Sequence, residues 1–202
     1  MANCCSTDIM IYSPDKDKLK KLIADVNRWV KRPDRKEHSD LYWIAQGAGD
    51  EVAKVTGDYC GSIACMSMDP IHEENGIYCV QISMEDAWTP KLPIWLKLTE
   101  MYLGEEGFLT YYADEPGCDI LDTNDESRVG TYLVDDPDGI LSDKDYWCDA
   151  TENELVPILQ AYLSTNETDF ETLFDEFQEK HFDEDASVWL RKWAYTEATA
   201  WH

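Results

Sequence analysis

The side chains with chemical potential in this chain are overwhelmingly carboxylates. Of 202 residues, 42 are Asp or Glu, against 17 Lys or Arg and 4 His. Carboxylates at short spacing can hold a hard cation, and "DDPDGILSDKD", Asp135 to Asp145, has the composition for it. With Gly139 at the glycine position of a calcium loop, Asp136 and Asp138 fall on the third and fifth ligand positions and Asp145 on the last. The first position is then Val134, which carries no side-chain oxygen, so the segment reads as an acidic turn. "DTNDES", Asp122 to Ser127, offers oxygens but no glycine where such a loop must bend. Acid and base catalysis needs two carboxylates held in one geometry, and the spacing singles out no pair.

Thiols and imidazoles add no reactive constellation. The seven cysteines, Cys4, Cys5, Cys60, Cys65, Cys79, Cys118 and Cys148, are odd in number and lack C-x-x-C spacing. They read as reduced thiols packed as small hydrophobes; Cys60 and Cys65 would share a metal only with further ligands that nothing nearby supplies. His38, His72, His181 and His202 lie in polar or terminal contexts, and no G-x-S-x-G elbow accompanies them. "GAGD", Gly47 to Asp50, is too short to cradle a phosphate. The sequence therefore assigns no catalytic residue, no metal and no cofactor, and an enzyme ranks behind a protein that works by contact.

Charge gives that contact a sign. Residues 1–60 balance 10 Lys+Arg with 10 Asp+Glu, whereas residues 61–202 carry 7 and 32. Nucleic-acid affinity comes mainly from lysine and arginine, so direct nucleic-acid binding is not expected; the complementary partner is a basic protein. "TDFETLFDEFQEKHFDEDAS" supplies a surface for it, with Phe and Leu on one face and Asp169, Glu171, Asp175, Glu176, Glu179, Asp183 and Glu184 on the other. Asp135, Asp136 and Asp138 extend this acidic surface. Carboxylates spaced like backbone phosphates would compete for a protein's nucleic-acid groove. The alternative is an accessory binding module whose acidity confers only solubility. Base stacking on a sheet is a further possibility, but Tyr111 and Tyr112 fall on opposite faces of one strand. The basic face of Lys16, Lys20, Lys21, Arg28 and Lys31 fits phosphate contact or an ordinary solvated face.

The elements that must position these residues follow from periodicity. "NCCSTDIMIYS" alternates as a strand; Leu19, Leu22, Ile23, Val26 and Val30 then mark an amphipathic helix with Ser13 at its cap and Pro14 at its first position. "GSIACMSMDP" and "GIYCVQISMEDAW" are strands, the second with Tyr78, Val80, Ile82 and Met84 facing the helices. Ile94, Leu98, Met101 and Leu103 form the inner stripe of a second helix ending at Gly104, and "GFLTYYADEPG" is a fourth strand. Strand, helix, strand, strand, helix, strand fold most economically as an α+β, ferredoxin-like antiparallel sheet with helices on one face. "RVGTYLV" and "DYWCDA" add strands. Capping boxes at Thr151 with Glu154 and Thr168 with Glu171 open two helices, the first kinked or shortened by Pro157, and Trp189 with Trp193 mark a third. The expected division is a core over 1–148 and an acidic helical extension over 149–202. No apolar run reaches the roughly 20 residues of a membrane span, and the N-terminus lacks a secretory pattern, so a cytoplasmic location is expected.

"AWTPKLPIWLKL", Ala87 to Leu98, carries a Pro-x-x-P spacing, but its prolines sit between a strand and a helix. It reads as that junction, with Leu92 at the cap and Trp88 or Trp95 packing on the sheet. The opening residues Asn3, Cys5 and Ser6, with Trp88, Pro90, Tyr112, Glu115 and Gly117, resemble the Api92-like proteins with a ferredoxin-like domain. That resemblance spans residues 1–135 and departs at "SMDPIHEENG", where the family's Trp-rich signature is absent. It implies the fold and an origin in a phage, plasmid or other mobile element, and hence a host protein as the basic partner; it carries over no catalytic residue.

Overall fold

The computed structural model describes residues 4–31, 38–49, 52, 54, 61–66, 71–141, 146–182 and 188–201. The chain is α+β and divides into two compact units, Met1–Asp125 with Tyr195–His202, and Glu126–Ala194. The expected boundary after residue 148 falls inside the second unit.

In the first unit, β1 (Cys4–Ser13), β2 (Gly61–Met66), β3 (His72–Glu74), β4 (Ile77–Ala87), β5 (Phe108–Glu115) and β6 (Ile120–Thr123) form a sheet whose central order is β5-β1-β4-β2. Those pairings are antiparallel, which is the split β-α-β order expected from the sequence. The register places Ile9 opposite Ile82 and Tyr111, and Ile11 opposite Val80 and Leu109. Period-two alternation thus assembles one continuous apolar face. It is covered by α1 (Lys16–Val30), α2 (Asp40–Ala48) and α3 (Leu92–Leu103), whose Leu22, Val26, Leu41, Ile44, Ile94, Trp95 and Leu98 join the same core. Each such burial stabilises by roughly 1.5–3 kcal/mol.

Local chemistry sets the helix ends. Asp15, one residue beyond the expected proline start, caps α1 by accepting from the amides of Asp17 and Lys18, each at 3.0 Å. Ser13 accepts from Asp15 N instead. Lys91 is the cap of α3 and Pro93 sits in its first turn; Leu92, expected at the cap, is the first helical residue and is buried. Gly104 ends α3 with φ +68°, as a left-handed stop requires. Trp95 is the tryptophan that packs on the sheet, fully buried, whereas Trp88 is 50% exposed. Trp88 has φ +69° and Thr89 N donates to Ala87 O at 2.8 Å. That is a γ-turn of the positive-φ form, a strained conformation for a bulky residue. Met101 leaves the expected inner stripe, 46% exposed, because Trp95 and Thr99 fill the face beside Leu98.

The chain returns to the first unit at its end. The strand β10 (Ala194–Tyr195) edges the sheet beside β6. Thr196 then donates to Thr123 O at 2.9 Å, while buried Tyr111 donates its hydroxyl to Thr196 O at 2.9 Å and accepts from the Trp201 indole at 2.8 Å.

The second unit is a three-stranded sheet, ordered β8-β7-β9, with two helices. Its strands are β7 (Tyr132–Asp135), β8 (Tyr146–Ala150) and β9 (Trp189–Lys192); its helices are α4 (Glu152–Leu163) and α5 (Phe170–Phe182). Tyr132, Val134 and Leu190 face Leu155, Leu159, Phe170, Leu173 and Phe177 in a separate core. The capping box of Thr151 with Glu154 forms, and α4 runs through Pro157 without ending there. Residues 189–192 and 194–195 are strands, not the expected third helix. Trp189 is exposed and Leu190 buried, so the pattern there has period two, and antiparallel pairing with β7 satisfies the backbone.

Candidate protein-binding surfaces

Helix α5 presents the acidic surface expected from the sequence. At 100° per residue, Leu173 and Phe177 point inward with Phe170 beside them, Glu171, Asp175 and Glu179 fall on the far side, and Glu176 lies on the flank. All four carboxylates are exposed. Glu171, Asp175 and Glu179 make one row of i,i+4 neighbours. Like charges so placed oppose helix formation by roughly 0.2–0.5 kcal/mol per pair, so the packing of the aromatic stripe holds the row together. The helix's lysine, Lys180, lies 4.3 Å over the Tyr162 ring on α4.

The start of α5 orders two more carboxylates. Asp169 caps the helix, its Oδ2 accepting from Thr172 N at 3.0 Å and from Thr172 Oγ1 at 2.8 Å; this replaces the expected box of Thr168 with Glu171. Glu167 Oε1 accepts from the amides of Thr168 and Asp169 at 2.6 and 2.9 Å. Hydrogen bonds to the ionised forms hold both carboxyls below their ordinary range, chiefly from the Asp169 and Thr168 amides for Glu167 and from the Thr172 amide for Asp169. Asp183 and Glu184 lie outside the described residues.

The loop after β7 corrects the expectation for Asp136. Its side chain is fully buried. Oδ1 accepts from Ile140 N and Oδ2 from Leu141 N, each at 2.7 Å, while its carbonyl accepts from Gly139 N at 3.0 Å. A tight turn with Gly139 at φ +65° aims these amides inward, and the carboxylate is their acceptor. Asp136 is therefore a turn-former and not part of an exposed surface, and both its oxygens are spent where a calcium loop would need them. Asp145 lies outside the described residues. Asp138 is exposed at the tip, and Asp135 is half-buried at the end of β7.

Asp135 has neighbours that the sequence reading missed. It pairs with Tyr146 on β8 and with Trp189 on β9, so all three side chains stand in one row on one face. Tyr146 is 59% and Trp189 58% exposed. The alternation in "DYWCDA" signals the first; reading "SVWL" as strand would have signalled the second.

The more open face of the larger sheet carries aromatics and carboxylates in a different arrangement. Tyr12 and Phe108, paired across β1 and β5, stack at 4.7 Å and 10°. Asp8 accepts from the Ser83 hydroxyl, and the Tyr112 hydroxyl donates to Asp125 at 2.5 Å. β1 to β6 contain no lysine or arginine, so this face opposes a phosphate backbone. Tyr111, on the other face, is buried. Three thiols are held protonated: burial pushes Cys5 up to about 12, and raises Cys79 and Cys4, the latter with help from Glu85, Glu115 and Asp86. Among the described residues no three His, Cys, Asp or Glu side chains gather as a metal site, and no helix is long and apolar enough to cross a membrane. No protein-family model, curated protein or solved structure matches this chain.

Proposed function

We propose that the protein acts by contact rather than by chemistry, as an acidic inhibitor that uses α5 to occupy the nucleic-acid-binding surface of a basic host protein. The observation that carries this reading is the row Glu171, Asp175 and Glu179, with Glu176 beside it, set opposite the buried Phe170, Leu173 and Phe177. From Asp169 to Glu179 the helix rises about 15 Å. Its five carboxylates are separated by rises of about 1.5 to 6 Å, on average about 4 Å, against about 3.4 Å per phosphate along one DNA strand. A rigid helix holds that spacing at lower ordering cost than a flexible tail. The row weakens its own helix, and charge complementarity to a basic groove is what would repay that cost. The resemblance to mobile-element proteins of the Api92-like type supports a host protein as the target.

Immobilised chain should capture, from host lysate, a basic nucleic-acid-binding protein that added salt and competing DNA both release. A variant with Glu171→Gln, Asp175→Asn, Glu176→Gln and Glu179→Gln should lose that capture while keeping its fold. Recovery of neutral partners alone, of nucleic acid itself, or of the same basic protein by the neutralised variant would overturn the reading. Neutral partners would favour the accessory-module alternative.

A further inference from the structure

The hairpin that joins β3 to β4 turns on an asparagine followed by a glycine, the pair in which a backbone nitrogen reaches the preceding side chain with least steric hindrance. Of the six asparagines, Asn3, Asn27, Asn75, Asn124, Asn153 and Asn166, only Asn75 precedes a glycine. The register pairs Glu74 with Ile77, Glu73 with Tyr78 and His72 with Cys79, which leaves Asn75 and Gly76 as a two-residue loop. Their φ values, +53° and +80°, are those of a type I′ turn, which needs a left-handed backbone at both central residues and favours Asn-Gly. The turn selects this pair for its backbone freedom and acquires its reactivity with it.

The reaction is intramolecular. The Gly76 nitrogen attacks Asn75 Cγ, a carbon–nitrogen bond forms, and the side-chain amide nitrogen leaves as ammonia, so that a five-membered imide spans the two residues. Water then opens the ring at either carbonyl. One opening yields aspartate; the other yields isoaspartate, in which the main chain runs through the former side chain. Water is consumed and ammonia released, with no oxidant or other reagent. Both residues are exposed to that water. Beyond its chain neighbours, no heavy atom lies within 4 Å of where a Gly76 Cβ would stand, so that side of the turn is open. The hydrogen bond that closes the turn runs between Glu74 and Ile77, so it uses neither reacting group. Two other asparagines show the contrast. Asn124 donates its side-chain amide to Leu109 O at 3.0 Å and accepts from Tyr111 N at 2.9 Å, and Asn27 donates to Ile23 O at 2.9 Å.

Turn geometry sets the rate. The ring needs Asn75 Cβ and the Gly76 nitrogen on one side of the Cα–C bond, and a ψ of about +30° at the first central residue of this turn type holds them apart. The reaction therefore passes through an opened turn. β3 suits this: its three residues are all exposed, and it pairs with β4 beside the main strand order. So short and exposed a pairing opens at the low end of the local unfolding scale. Isoaspartate then adds a methylene to the main chain of a loop whose length fixes the register, and the pair Glu74 with Ile77 no longer closes.

We propose that Asn75 is a site of spontaneous conversion to isoaspartate and aspartate, and that the isoaspartate form releases β3 from β4. The site belongs to the first unit and is independent of the role given to α5.

The test ages the full chain in warm, mildly alkaline buffer and follows its peptides by mass spectrometry, with backbone fragmentation telling isoaspartate from aspartate. The peptide holding Asn75 should gain the mass difference of an acid over an amide at least tenfold faster than the peptide holding Asn124, with isoaspartate among the products. In the aged chain the Glu74 and Ile77 amides should lose exchange protection in proportion to the isoaspartate fraction, while those of Ile9 and Ile82 keep theirs. Freshly purified Asn75→Asp carries the added charge on an unaltered main chain, and should keep protection at Glu74 and Ile77, since aspartate also suits the turn. An Asn75 peptide that gains mass no faster than the Asn124 peptide, products without isoaspartate, or an isoaspartate form still protected at Glu74 and Ile77 overturns the proposal. Equal loss of protection in fresh Asn75→Asp overturns the release of β3 by the lengthened main chain.

Discussion

The two sheets each put two aromatic residues on their less covered face, and strand spacing gives the pairs different fates. Tyr12 and Phe108 are direct partners on adjacent strands, and their rings stack on each other at 4.7 Å. Tyr146 and Trp189 are separated by β7, with Asp135 between them. One strand spacing lets two rings stack on each other, while two spacings hold the stems of Tyr146 and Trp189 roughly 9–10 Å apart. The first arrangement is a ring-to-ring contact, and in the second a carboxylate stands between the two aromatic positions. The types of residue are similar in both, so composition alone does not tell a stacked pair from a separated one. Register does.

The comparison presumes that each sheet stands on its own core, and the largest predicted effect tests this. Phe177 is fully buried among Leu155, Leu159, Leu173 and Leu190 in the second unit. Phe177→Ala should cost about 3–5 kcal/mol through lost transfer energy and the cavity left behind. Hydrogen exchange should show that loss at amides of β7, β8, β9 and α5, with β1, β4 and β5 keeping their protection. Equal loss in both sheets would mean that the cores are not energetically separate.

A smaller effect separates the aromatic pairs themselves. Phe108→Ala removes a stacked partner from Tyr12, an interaction worth about 0.5–1.5 kcal/mol beyond area, and should lower stability to urea by that order. Trp189→Ala removes a ring that is 58% exposed and should change stability by about 0.5 kcal/mol or less. If Trp189→Ala costs as much as Phe108→Ala, the ring of Trp189 is also held by packing and exposure does not separate the two pairs.

Much of the first unit was legible because its signals are local and redundant. Alternation in β1, β4 and β5 and the helical stripe of α1 each have four or more consistent positions, and the crossover rules leave few ways to join them. The second unit was harder to read. Two tryptophans four apart, Trp189 and Trp193, satisfy a helical period as well as they satisfy nothing else in a short segment. What decides for strand is pairing with β7, a partner more than 50 residues away in the sequence. Asp136 failed for a similar reason. A run of aspartates looks uniformly solvated, and only the turn at Gly139 selects which one must accept the amides of Ile140 and Leu141. The exposed acids of α5 were legible because the apolar stripe Phe170, Leu173 and Phe177 fixes the opposite face. The row Tyr146, Asp135 and Trp189 belongs to three segments, and no spacing within any one of them announces it.

The smallest effect concerns how α5 is held in place, and its direction follows from the caps. Asp169 and Glu167 accept backbone amides in the folded chain, which lowers their pKa values below those of the unfolded chain, about 3.9 and 4.3. Near pH 4 the unfolded chain then binds more protons than the folded one, so stability rises with pH through this region. The contribution is complete above about pH 5 and is lost as pH falls through the lower, folded values. A global melting curve mixes the caps with every other carboxylate in the chain. Asp169→Asn separates them. Asparagine still caps a helix but does not titrate, so the protection of the Thr172 and Leu173 amides, taken relative to intrinsic exchange at each pH, should fall less between pH 5 and pH 3 in the variant than in the parent. If parent and variant respond alike, the cap is not what acid removes. The weakening of α5 would then originate in its packing on the sheet, and the acidic face could not be tuned separately from the core beneath it.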